Sequence, residues 1–145
     1  MVEFAFVLPL FLLLLFGIWT FGIYFMDYQN LNGIARSAAR EATTVENATY
    51  VDKQYEFVKQ KYAQDKTVLR LLEWKPSADG KDTDDFEITY DYDTNNVVVK
   101  VNAAPTKSNF LFKVMGNLMD EQSFYQNFGV NITYTMRSEV VHDKL

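Results

Sequence analysis

The sequence predicts an α+β fold in which one long N-terminal helix lies over a small antiparallel β-sheet. Three observations carry this reading. An uncharged apolar run extends from Phe4 to Met26, long enough to cross a membrane as a helix. A stripe at helical spacing then continues from Tyr28 to Val45 with no proline in it. Three later segments switch to a period of two, as strands with one buried face do. Helices first and strands afterwards argue for a sheet covered on one side.

As a helix, the run from Phe4 to Met26 spans roughly 34 Å. Phe4, Val7, Leu8, Leu10, Phe11 and Leu14, followed by Phe16, Phe21 and Phe25, make it apolar all round. That suits lipid, or a bundle of like helices. The apolar stretch of a signal peptide is shorter, about 7–15 residues, follows basic residues and ends at a small-x-small cleavage site. Here no Lys or Arg precedes the run and "FMDYQN" closes it, so a retained helix is expected. Pro9 removes one backbone donor and should bend the early turns. Gly17 and Gly22 would let helices approach closely, or are ordinary variation in a membrane helix. Two acids bracket the run, Glu3 before it and Asp27 after it. The first basic residues that follow, Arg36 and Arg40, are balanced by Asp27 and Glu41. Basic flanks therefore do not set the orientation. A basic leader removed ahead of Met1 is one explanation. The large polar portion is expected outside the cytoplasm. Residues 1–26 form the membrane or core segment and residues 27–145 an extracytoplasmic head, with the helix continuing to about residue 45.

Beyond Asp27, the positions Tyr28, Leu31, Ala35, Ala38, Ala42 and Val45 step by 3, 4, 3, 4 and 3. Small alanines on that face suit close packing of helix on sheet. The expectation is one helix from about Val2 to about Val45; two helices broken near Gly33 are the alternative. A second helix is read from "VDKQYEFVKQKYAQDKTVLRLLEW", with Val51, Tyr55, Val58 and Tyr62 on one face. It should end before the loop "KPSADGKDTDD". Phe86, Ile88, Tyr90 and Tyr92 alternate with polar residues, and Val97, Val99 and Val101 do the same across "DTNN", which reads as a β-hairpin. "SNFLFKVMGNLMDE" is a short helix or an apolar loop. "FGVNITYTM" places Phe128, Val130, Ile132, Tyr134 and Met136 on one face of a third strand.

Composition narrows the function. The net charge is −5 and no block of Lys or Arg occurs, which argues against nucleic acid and against an electrostatic grip on anionic lipid. There is no cysteine, so disulfides, thiolate metal sites and cysteine nucleophiles are excluded. The one histidine, His142, is the fourth residue from the end of the sequence and reads as a solvent group. Asp91, Asp93 and Asn95 have the alternate spacing of a calcium loop, but Asn96 stands where that loop needs glycine, and Asn102 where it needs glutamate. A polar hairpin turn explains them better, and no metal or other cofactor is expected. Asn47 and Asn131 begin glycosylation triplets, which also arise by chance. No nucleophile–base pair or phosphate-binding loop suggests an enzyme.

"VEFAFVLPLFLLLLFGIWTFGIYF" followed by "QNLNGIARSAAREA" resembles the TadE-like pilin or pseudopilin family. The shared marks are the Val-Glu-Phe-Ala start, the Leu-Pro pair, a Phe-Gly late in the run and the Ala-Ala-Arg-Glu segment. "ITYTMRSE" is similar to that family's last strand, where an Arg and a Glu close the domain. The resemblance implies a subunit of a type IV-like tight-adherence (Tad/Flp) pilus. Its partners would be copies of itself or other pilins, a prepilin peptidase and the inner-membrane assembly machinery. It would sit in the inner membrane first and in an extracellular surface filament afterwards, serving adhesion or related surface functions. In that family a glutamate usually sits five residues into the mature chain. Glu3 is third from Met1, a departure that leaves the mature end open.

A carboxylate at the edge of an apolar helix is costly in hydrocarbon and tolerable beside a cation. In a filament the terminal ammonium of a neighbouring subunit would supply that cation, and Glu3 would set the register of assembly. The plainer role is to meet the positive end of its own helix at the headgroups. A single-pass membrane protein whose outer domain binds or senses without polymerising is the alternative function.

Overall fold

The computed structural model describes residues 2–45, 51–64, 69–77, 79–80, 83, 85–107, 110, 112–113, 117 and 127–140. Helix α1 covers Val2–Thr43 and α2 covers Val51–Ala63. Among the described residues four strands follow: β1 Leu72–Glu73, β2 Phe86–Asp91, β3 Asn96–Pro105 and β4 Val130–Arg137. This is an α+β fold with a long apolar N-terminal helix and a small antiparallel sheet.

Helix α1 runs 42 residues without a break. Gly33 does not divide it, and Pro9 lies within it. It stops where three β-branched residues follow one another. The Thr43 and Thr44 hydroxyls donate back to the Arg40 and Glu41 carbonyls at 2.8 Å each, a local bond that competes with helix continuation. The Thr43 carbonyl is taken up by the backbone N–H of Glu139 at 3.2 Å. The tail after the last strand thus satisfies the helix end.

All strand pairings are antiparallel. β3 is central: β2 and the short β1 share one of its sides and β4 takes the other. Val97, Val99 and Val101 on β3 are buried, as are Phe86 and Ile88 on β2 and Val130 and Ile132 on β4. These alternate residues make the sheet's inner face, against which α1 lays Leu31, Ala35, Ala38 and Ala42, all fully buried. Alanine at three of those four positions lets helix and sheet approach closely. Tyr55 and Val58 of α2 close the same core.

Four details differ from the sequence reading. Tyr28 does not face the sheet: it is 39% exposed, with its ring stacked on Phe25. The inward position on that turn belongs to Asp27, four residues before Leu31 on the same face. Helix α2 ends at Ala63, and the "RLLEW" stretch that was expected to continue it bends instead into β1. Tyr92 falls in the hairpin turn, stacked edge-on against Tyr90 with ring centroids 4.9 Å apart. Phe128 lies just before β4 and is exposed.

Gly80 is the one described glycine whose backbone requires glycine. Its φ is +69°, and an added Cβ would stand 2.3 Å from the Glu56 carbonyl oxygen on α2. The loop after β1 can therefore lie flush on α2, where the Gln60 amide donates to the Asp79 carbonyl at 2.9 Å.

Candidate functional site

The first half of α1 carries the unusual surface. Sixteen large apolar side chains between Phe4 and Met26 are exposed, among them Phe4 at 76% and Phe6 at 77%. Burying such a side chain is worth about 1.5–3 kcal/mol, so leaving this set in water costs on the order of 30 kcal/mol. That exceeds the roughly 5–15 kcal/mol by which a domain is stable. Lipid or other helices must therefore cover this surface. Among the described residues, one helix is long and apolar enough to cross a membrane, consistent with a membrane-anchoring or signal region. Gly17 and Gly22 are exposed on it, and an added Cβ at either would meet nothing within 4 Å. The backbone of Glu3 belongs to α1, but its side chain lies outside the described ones.

The junction with the head is built around Asp27. Its carboxyl group is fully buried. Oδ2 accepts three backbone N–H bonds, from Arg70 at 2.9 Å, Leu71 at 2.7 Å and Leu72 at 3.0 Å. A helix continuing through residues 70–72 would give these N–H groups to carbonyls four residues back. Asp27 takes them instead, and the chain enters β1. Oδ1 of Asp27 is buried without a hydrogen-bond partner among the described residues. The junction is thus fixed by one side chain that grips backbone rather than by an ion pair.

One turn nearer the N-terminus, the Tyr24 hydroxyl donates to the Phe128 carbonyl at 3.1 Å. Ile23 and Tyr24 pack against a small cluster of Leu71 and Phe112. Further along, Arg36 Nε donates to the Tyr134 hydroxyl oxygen on β4 at 3.3 Å, which pushes the guanidinium pKa up. Lys61 of α2 reaches both carboxylate oxygens of Glu41 at 2.8 Å, and the Tyr62 hydroxyl donates to the same group at 3.0 Å. From Ile23 onward, α1 is the spine of the head; before it, the helix stands bare.

The remaining candidate residues lie elsewhere. Asp91, Asp93 and Asn95 surround the hairpin turn. The Asp91 carboxylate accepts from the Asp93 N–H at 3.0 Å and from the Thr94 hydroxyl at 2.6 Å. These bonds hold its pKa below the ordinary carboxylate value, the Thr94 hydroxyl contributing most. Asn95 has φ +54° and accepts from the Tyr90 hydroxyl at 3.0 Å. The Asp91 carboxylate and the Asn95 side-chain oxygen are therefore engaged in the turn itself. No group of three or more His, Cys, Asp or Glu that could hold a metal ion occurs among the described residues. Asn131 is exposed on β4, whereas Asn47 lies outside the described residues.

Asp27 is the residue that sequence reasoning left without a role. The available signal was its place: an acid where a membrane helix commonly carries a basic flank, and in phase with Leu31 and Ala35.

The family model described as TadE-like protein matches residues 1–40. The match takes in the bare half of α1, the Asp27 junction and the first alanines of the sheet-facing stripe. It suggests membership and covers none of the strands. No curated protein and no solved structure matches the chain.

Proposed function

We propose that the chain is a structural subunit, major or minor, of a pilus-like filament of the tight-adherence type. The observation that carries this is the bare apolar half of α1, within the segment that the TadE-like family model matches. Before assembly, lipid covers that half of the helix, in the inner membrane. During assembly, helices of other copies or of other pilins replace the lipid. The head, residues 27–145, remains as the outer coat and mediates adhesion or related surface contacts. A prepilin peptidase and inner-membrane assembly machinery are the partners this reading calls for.

Glu3 sets the register. Within the core its carboxylate needs a cation, and the terminal ammonium of a neighbouring subunit is the candidate. Each incoming copy then stops where that charge is neutralised.

The test is to shear filaments from the surface of cells expressing the full chain and to sequence the N-terminus of the recovered protein by mass spectrometry. The chain should be found in the sheared fraction. Glu3→Ala should remove it from that fraction while leaving it in the membrane. Finding both forms only in membranes would favour a non-polymerising binding domain.

A further inference from the structure

We propose that the head carries its own membrane contact, an aromatic collar of Phe25, Phe110 and Phe128 flanked by Arg70 and Lys113, which sits in the phospholipid headgroup layer before assembly. The inference rests on the membrane-anchored reading of α1 and adds a second, separate contact to it.

Three observations place these residues at one height. The Tyr24 hydroxyl reaches the Phe128 carbonyl. Helical side chains lean toward the helix N-terminus, so Phe128 stands level with Tyr24 or nearer the bare end. Phe112 forms with Leu71 the small cluster against which Ile23 and Tyr24 pack, which brings its neighbours Phe110 and Lys113 to about the same height. The Arg70 backbone N–H is held by Asp27, one turn higher.

The exposure is unusual for that height. Phe110 is 76% exposed, Phe25 50% and Phe128 38%, while Phe112 between them is buried. The helix from Phe4 to Tyr24 rises about 30 Å, the thickness of a hydrocarbon core. With Phe4 at one boundary, Tyr24 and the collar meet the other. Aromatic rings gather at that boundary, and long basic side chains extend from it toward phosphate. Arg70 and Lys113 are both exposed. The basic flank that the sequence lacks after the apolar run is thus returned by folding, from 43 residues away in the case of Arg70.

The natural absence of cysteine makes the test direct. Single-cysteine variants of the full chain are labelled with a small fluorophore and reconstituted at low protein density into phosphatidylcholine vesicles. The variants are Phe16→Cys for the span, Phe110→Cys and Phe128→Cys for the collar, and Tyr92→Cys on the hairpin turn. Lipids with a nitroxide near the headgroup should quench the labels at 110 and 128 and leave the label at 92 bright. Nitroxide deeper in the acyl chain should quench the label at 16. Labels at 110 and 128 as bright as that at 92, with 16 quenched, would overturn the collar and leave the anchor standing. An unquenched label at 16 would remove both. Shielding of 110 from aqueous iodide only at high protein density would assign the rings to a second copy and overturn the proposal.

Discussion

Oδ2 of Asp27 accepts a hydrogen bond from the backbone N–H of Leu71 at 2.7 Å, across 44 residues of sequence. The Arg70 and Leu72 N–H groups share the same oxygen. Asp27→Ala would leave three N–H groups without an acceptor, at about 1–3 kcal/mol each when buried. The expected loss is about 3–5 kcal/mol, read as a lowered melting temperature of the detergent-solubilised chain by near-UV circular dichroism. Asp27→Asn keeps one acceptor oxygen and should cost less than the alanine change. Equal losses for the two would mean that the charge, not the acceptor geometry, matters.

Two glycines should respond with opposite sign to the same change. Gly80→Ala forces a side chain onto the Glu56 carbonyl at a positive φ. It should cost about 2 kcal/mol or more, from left-handed strain and the clash together. Gly33→Ala meets nothing within 4 Å on an uninterrupted helix. It should stabilise by about 0.5–1 kcal/mol through helix propensity. Chemical denaturation of the two variants side by side checks both signs.

Ala38 sits fully buried between α1 and the sheet. Ala38→Leu adds three carbons where no space is left, and overpacking of this kind typically costs about 1–3 kcal/mol. The core would part along the α1–sheet seam. Hydrogen exchange of the β3 and β4 amides, measured against the unchanged chain, should show faster opening there.

The hairpin turn should depend on pH. The folded-state pKa of Asp91 is lowered, chiefly by the Thr94 hydroxyl. A lowered carboxylate pKa adds stability that is fully present above the unfolded value, near 3.9. That contribution is lost as pH falls below it and through the folded value. Thr94→Ala should bring the Asp91 titration back up toward 3.9, as followed by carbon NMR of the side-chain carboxyl. An unmoved midpoint would show that the Asp93 amide alone sets it.

The long helix was legible because its pattern is local. Apolar spacing predicted α1 to within two residues of its end at Thr43. Alternation marked β2, β3 and β4 for the same reason. The errors lie where a distant group decides. The "RLLEW" stretch has helical composition, yet its amides go to an aspartate more than 40 residues earlier. Tyr28 looked inward by step count, but the phase of the stripe runs through Asp27. The bare surface of α1 could be read from the run itself. The junction that joins it to the head could not, because its donors are backbone groups that carry no sequence mark.

The same helix is both tether and spine, so no swivel separates the exposed half from the sheet. Each residue of α1 turns the head by 100° about the helix axis and lifts it 1.5 Å. One residue inserted between Met26 and Asp27 would present a different side of the sheet to every neighbour, with composition and hydrophobicity hardly changed. In the proposed filament, the angular setting of the coat is therefore written as a residue count along the core, and a deletion of one residue should scramble a lattice that tolerates many substitutions.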